Sequence, residues 1–169
     1  TSQENNHPTF NYAATTLDGT AITATPYALI HNIYEWENLN QVSWGPSNFM
    51  LANDIDGTNY TYTPITHFDA RTPHLDGLGY TIKNLSYEAV SGGSAAGLFI
   101  TLTDATMENL NIASSTSFKA YQEDVSAGWR HAGSLAYETK GNVLLRNVHS
   151  SANVTNGRTI GGLVAFNQG

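Results

Sequence analysis

The fold class this sequence predicts is all-β: a parallel β-solenoid with one short helix near the N-terminus and one surface insertion. Three observations carry the prediction. A phrase recurs in order, a small-residue step into an apolar pair followed by apolar-x-Asn-apolar. It reads Ala96-Gly97-Leu98-Phe99 then Met107-Glu108-Asn109-Leu110, returns as Ala132-Gly133-Ser134-Leu135-Ala136 then Leu145-Arg146-Asn147-Val148, and starts again at Gly161-Gly162-Leu163-Val164. Repeated units that cannot bury an apolar face alone must stack on one another. The second observation is composition: 12% charged residues, with 15 Gly and abundant Thr, Asn and Ser, favours strands and tight turns over helices. The third is spacing. Asn84 to Asn109 is 25 residues and Asn109 to Asn147 is 38, while Gly97 to Gly133 is 36 and Gly133 to Gly162 is 29. A unit in the twenties with one extra segment accounts for all four.

The elements follow in chain order. Residues 1–25, rich in Thr, Ala and Asn, read as a linker or a weak first coil, and residues 26–169 as the solenoid, ending within a repeat. A helix is expected from Ile33 to Gln41, with Asn32 as N-cap, Glu35 three residues on as in a capping box, and an apolar edge of Ile33, Trp36 and Leu39. Its expected role is to cover a sheet edge. Phe49-Met50-Leu51-Ala52 leads into the turn cluster Asn53–Gly57, Tyr60–Ile65 alternates like a strand, and His74–Leu85 gives a Gly-bracketed turn and then a strand. Each coil then pairs with the next at ~4.8 Å. Asn84, Asn109 and Asn147 are expected at equivalent corners, where the side-chain amide bonds a tight bend or its neighbour one coil along. The extra residues fall at 113–131, whose composition departs from the repeats; insertions in solenoids map to surface loops.

Charge and cysteine content exclude some functions. Seven Lys and Arg against 14 Asp and Glu leave a net charge of −7, which argues against nucleic acid and anionic membrane surfaces. No cysteine is present, so disulfides and thiolate metal sites are out. No apolar run approaches ~18 residues, so no membrane insertion is expected.

Candidate chemistry is sparse. Within the insertion, Phe118, Tyr121 and Trp129, interleaved with Arg130, His131 and several polar residues, have the make-up of a contact patch for a sugar ring or a peptide. The alternative is that the aromatics only pin the loop to the body. Asp54-x-Asp56-Gly57-x-Asn59 has the oxygen-rich spacing of a calcium loop but lacks its distal bidentate Glu, and a plain Asx turn is the favoured reading. No cofactor is expected beyond that possible calcium. The same carboxylates are what a glycosidase on such a fold would need. His67 and His74 flank a loop and would form a metal site only by approaching each other. No catalytic residue is assigned, and the chain is read as non-enzymatic.

The run from Tyr27 to Asn32, then Asn53-Asp54-Ile55-Asp56, Pro64-Ile65 and Leu75–Leu85, resembles the filamentous-haemagglutinin-like, high-molecular-weight adhesins exported by two-partner secretion. Gly162–Gly169 is similar to the GLUG repeat of bacterial surface proteins, with Ala165 where Gly is common. Together these cover about residues 27–112 and 132–169. The resemblance implies a right-handed parallel β-helix in a secreted, cell-surface adhesin. It implies binding to a host-cell or bacterial surface glycan, protein or matrix, and an outer-membrane transporter as partner of the parent chain. The alternatives are a fragment of a carbohydrate-active β-helix enzyme and a structural spacer beside a protease or toxin domain. The stretch from Thr66 to His74 lacks the family's usual glycines.

Overall fold

The computed structural model describes residues 9–10, 27–41, 47–68, 72–90, 95–120 and 131–169. Strand β1 (Thr9–Phe10) pairs antiparallel with β2 (Tyr27–Ile30). The helix follows, as α1 (Ile33–Glu37) continued by a 3₁₀ turn (Asn38–Gln41), so the expected single helix tightens halfway. Asn32 caps it in an extended conformation, its side chain accepting from the backbone N–H groups of Tyr34 and Glu35, both at 3.0 Å. The Glu35 carboxylate reaches back to the backbone N–H of His31 at 2.7 Å rather than to the cap residue. Ile33, Trp36 and Leu39 are buried, and Trp36 lies 5.5 Å from the ring of Phe99.

Four courses of parallel strands come next. The first is β3 (Asn48–Leu51), β4 (Ile55–Asp56) and β5 (Ile65–Phe68). The second is β6 (His74–Asp76), β7 (Thr81–Lys83), β8 (Ser86–Glu88) and β9 (Phe99–Thr103). The third is β10 (Thr106–Ile112), β11 (Ser117–Lys119), β12 (His131–Gly133) and β13 (Ala136–Lys140). The last is β14 (Leu144–Ser150), β15 (Asn153–Thr155), β16 (Thr159–Gly161) and β17 (Val164–Gln168). Each course pairs in parallel with the one before it. Phe49 lies opposite Leu75, Leu75 opposite Met107 and Met107 opposite Leu145. Tyr87, Phe118 and Val154 form a second column, and Ile65, Phe99, Ala136 and Val164 a third. Among the described residues the fold is thus all-β with one short helix, built on parallel sheets that the chain visits in a recurring order.

The columns explain the core. Phe49, Leu75, Met107, Ile55, Ile82, Ile112, Phe68, Leu102 and Phe99 are all buried. Each such side chain removed from water contributes about 1.5–3 kcal/mol. Where the phrase placed glycines, the courses approach closely: a Cβ on Gly97 would sit 2.7 Å from the carbonyl oxygen of Gly133. Gly133 is in register with Gly161, not with Gly162, so that step of the repeat is 28 residues rather than 29.

Two expected elements differ. Residues Tyr60–Pro64 form no strand; Tyr62 turns inward, fully buried, and its hydroxyl donates to the carbonyl of Leu98 at 2.6 Å. The first part of the expected insertion at 113–131 belongs to the sheets. Ser117–Lys119 is an ordinary sheet strand between β8 and β15, and Thr116, Phe118 and Ala120 are buried. Only 121–130 falls outside the described residues.

Candidate functional site

The surface where the chain re-enters the sheets after residue 130 carries a cluster of aromatic rings. His131 opens β12, which pairs with β16, while Tyr137 lies on β13 and Phe166 on its parallel partner β17, packed beside β12. His131 stacks on Tyr137 with centroids 5.3 Å apart and planes 22° from parallel, and Phe166 lies 6.3 Å from the imidazole. Phe166 and Ile160 remain exposed, at 39% and 49%. Trp36, Phe49, Phe68, Phe99 and Phe118 turn inward, whereas Tyr34, exposed, meets Tyr60 edge-on at 5.1 Å and forms a second surface pair.

Polar groups rim the platform. Arg158 directly precedes Thr159, the register partner of His131. Burial lowers the pKa of His131, and the Arg158 charge lowers it further, so the ring is neutral at neutral pH. Burial raises the Tyr137 phenol, and Glu138 adds to it. Glu138 is 6% exposed; Lys140 pairs with it at 2.8 Å and the Gln168 amide donates to its other oxygen. Its charge is therefore matched on the spot.

The residues singled out in the sequence are distributed as follows. Phe118 has no exposed surface and meets the Tyr62 ring at 6.4 Å; it occupies the inward position of its strand, so it is a core residue and not part of a contact surface. Tyr121, Trp129 and Arg130 lie outside the described residues. His131, the last residue of that stretch, lies in the ring cluster.

Asp54 and Asp56 are both engaged by donors. Asp54 accepts from the Thr81 backbone at 3.0 Å and pairs with Lys83 at 3.0 Å. One oxygen of Asp56 accepts from the Thr58 backbone at 2.9 Å, the Thr58 hydroxyl at 2.7 Å and the Asn84 amide at 3.0 Å. Both Asp54 oxygens and one Asp56 oxygen are thus taken by an ammonium and by N–H and O–H donors, the pattern of an Asx turn. Among the described residues no group of three His, Asp or Glu has metal-site geometry. Of the histidine pair, the His67 side chain falls outside the described part of the structure. The His74 ring bonds the Tyr27 hydroxyl at 2.9 Å and Glu108 at 2.6 Å.

Asn84, Asn109 and Asn147 all take left-handed backbone, with φ of 58°, 53° and 50°. They do not share one corner. Glu108 and Leu110 face Arg146 and Val148, which sets Asn109 opposite Asn147, and the Asn147 amide donates to Asn109 at 3.0 Å. Asn84 sits at the next bend. Asn84 and Asn109 nevertheless make the same kind of contact. Each donates its amide, at 3.0 Å, to the Asp of an Asp-Gly turn in the preceding course, Asp56 and Asp76 respectively. The two turns match in detail, Asp accepting from the residue after Gly and the Gly carbonyl from the following Tyr.

Comparison with known proteins gives one informative likeness. The chain is 30% identical to halomucin of Haloquadratum walsbyi over 171 residues, an alignment covering 87% of this chain and 2% of halomucin. It therefore spans a very small part of that relative's length. No family model matches the chain, and no solved structure matches it. No helix among the described residues is long and apolar enough to cross a membrane.

Sequence reasoning missed Tyr137, Phe166 and Arg158. Tyr137 and Phe166 each meet the His131 ring only through the packing of strands apart in sequence, and Arg158 directly precedes Thr159, the register partner of His131.

Proposed function

We propose that this chain is a segment of a right-handed parallel β-helix in a large, secreted, surface-exposed protein, and that it serves as a rigid support bearing a non-enzymatic binding surface. The observation that carries the binding role is the stacked His131–Tyr137 pair with exposed Phe166 beside it. Stacked rings present apolar area at low entropic cost, which suits a sugar face or a peptide. The in-register parallel courses support the β-helix reading, and the likeness to halomucin supports a surface protein. The adhesin reading adds a host-cell or bacterial surface glycan or protein as ligand. The enzyme alternative drew on Asp54 and Asp56, and both carboxylates are committed to the turn and to Lys83.

The test is binding of the chain to intact epithelial and bacterial cells, beside a His131→Ala, Phe166→Ala variant and a Trp129→Ala, Tyr121→Ala variant. Binding that the first variant loses supports a recognition surface at the platform. Binding by neither the native chain nor its variants leaves a spacer, and the binding role is then wrong.

A further inference from the structure

We infer that α1 and its 3₁₀ turn form a start cap, in which Glu37 and Asn40 stand in for the backbone carbonyls of a preceding course and close the first course to pairing with a further strand. The inference concerns the stack itself and does not depend on what the ring cluster binds.

The argument is one of donors. In a parallel sheet each strand offers N–H groups to both of its neighbours in alternation. Where β2 lies beside the first course, the need is met by backbone: the Ala52 N–H donates to the Ile30 carbonyl at 2.9 Å. Beyond Ile30 the chain leaves the sheet and winds into α1, whose carbonyls are spent along the helix; that of Asn32 accepts from Trp36 at 3.0 Å. Among the described residues β4 and β5 are therefore edge strands of their sheets. In β5 the Ile65 N–H donates to Leu98 of the second course at 3.0 Å, so the Thr66 N–H points the opposite way, to the edge. There the Asn40 Oδ1 accepts it at 2.6 Å, together with the Thr66 hydroxyl at 3.1 Å. The Thr63 N–H donates to Glu37 Oε1 at 2.8 Å, and Glu37 Oε2 accepts the Tyr60 hydroxyl at 2.6 Å. Pro64, between the two donors, has no N–H to satisfy.

The spacing fits a substituted course. Glu37 to Thr63 and Asn40 to Thr66 are both 26 residues, the same offset as between the register partners Asn48 and His74. The two side chains thus stand one course back from the donors they hold. The apolar side of the segment closes the interior above them. Ile33, Trp36 and Leu39 are buried, and the Trp36 ring lies on Phe99 with its N–H directed at the Tyr62 hydroxyl, 3.5 Å away. On the remaining sheet, β1 runs antiparallel on β2 and breaks the parallel order. An edge covered by a helix and carrying a carboxylate offers no template to another strand. For a rigid support the result is polarity: strands add only on the side away from α1.

The experiment uses the full chain, which has no cysteine of its own. A single Thr61→Cys change, at an exposed residue beside this edge, therefore reports contact between copies there. Disulfide cross-linking is compared for Thr61→Cys alone and with Glu37→Ala and Asn40→Ala added, and amide exchange at Thr63 and Thr66 is followed with and without the two alanines. The expected result is that the alanines speed exchange at both amides by roughly tenfold and raise the cross-linked fraction by about threefold. Glu37→Gln with Asn40→Asp, which keeps an acceptor oxygen at each position, behaves as the native chain. Circular dichroism verifies the fold; should the paired alanines unfold the chain, Asn40→Ala alone carries the same comparison at Thr66. Unchanged exchange at Thr63 and Thr66 overturns the stand-in role of the two side chains. Faster exchange without added cross-linking overturns the closing of the edge, and so does equal cross-linking of Thr61→Cys in the otherwise native chain.

Discussion

At the scale of single residues, the hydrogen-bond inventory separates groups that are matched from one that is not. The Thr116 hydroxyl is buried with no partner among the described residues, in a position that Leu85 fills one course earlier. A buried unsatisfied hydroxyl costs about 1–3 kcal/mol. Thr116→Val, of the same shape, should therefore raise unfolding free energy by about 1 kcal/mol in a denaturant titration; a loss of stability would mean that the hydroxyl has a partner after all. Asp56 is the opposite case. Hydrogen bonds from the Thr58 hydroxyl, the Asn84 amide and the Thr58 backbone pull its pKa down to about 2. A carboxyl whose pKa is lower folded than unfolded stabilises the fold above the unfolded value, and that contribution fades as pH falls through the folded value. Melting temperature should thus drop between pH ~4 and ~2. In Asp56→Asn that part of the acid limb should flatten; an unchanged limb would assign acid sensitivity to other carboxyls.

At the scale of elements, the Asp-Gly turn and the Asn of the following course work as two halves of one joint. Gly77 is required there because a Cβ would lie 2.5 Å from the Asn109 carbonyl oxygen. Asn109 meets two demands, a left-handed backbone and an amide donor for Asp76. A non-Gly residue without local hydrogen bonding loses about 1–2 kcal/mol in that conformation, and the lost amide bonds cost about 1 kcal/mol. Asn109→Ala should destabilise by ~2–3 kcal/mol and Asn109→Gly by roughly half as much. Equal losses in the two variants would show that backbone strain plays no part. These joints also show how much is legible in the sequence. The Asn steps and the turns are visible as motifs, and the helix cap at Asn32 is readable because its partners lie within three residues. Grouping Asn84 with Asn109 and Asn147 at one corner does not hold, since a shared local motif does not reveal which bend it occupies. Lys83 beside Asp54, Glu108 beside His74 and Phe166 beside His131 are 29 to 35 residues apart and meet only through course lengths that vary along the chain. Phe118 is illegible for a related reason: a strand of three residues gives too little alternation to separate its inward side from its outward side.

At the scale of the whole molecule, burial among the described residues falls off along the successive parallel courses. The strands β6 and β10 hold fully buried Leu75, Met107 and Leu110, whereas in the fourth course Leu144, Ile160 and Phe166 are exposed and Leu145, Val148 and Val154 only partly covered. Stability in stacked architectures is close to a sum over courses and their neighbours, and local opening follows local burial. Amide hydrogen exchange should therefore be slowest in β6, β9 and β10, and faster across β14 to β17. Uniform protection would indicate a single cooperative unit. The antiparallel pairing of β1 on β2 and the burial of Trp36 of α1 against Phe99 predict that the first courses exchange more slowly than the fourth.

The paired joints have a consequence for how such a chain changes over generations. Asp56 and Asn84 are 28 residues apart and Asp76 and Asn109 are 33, yet both contacts measure 3.0 Å. The contact tolerates the length of chain looped out between its halves. Each joint is therefore made only between two courses, since within one course Asp76 and Asn84 lie at different bends. Novelty can then accumulate in the looped-out stretches while the joints between courses hold.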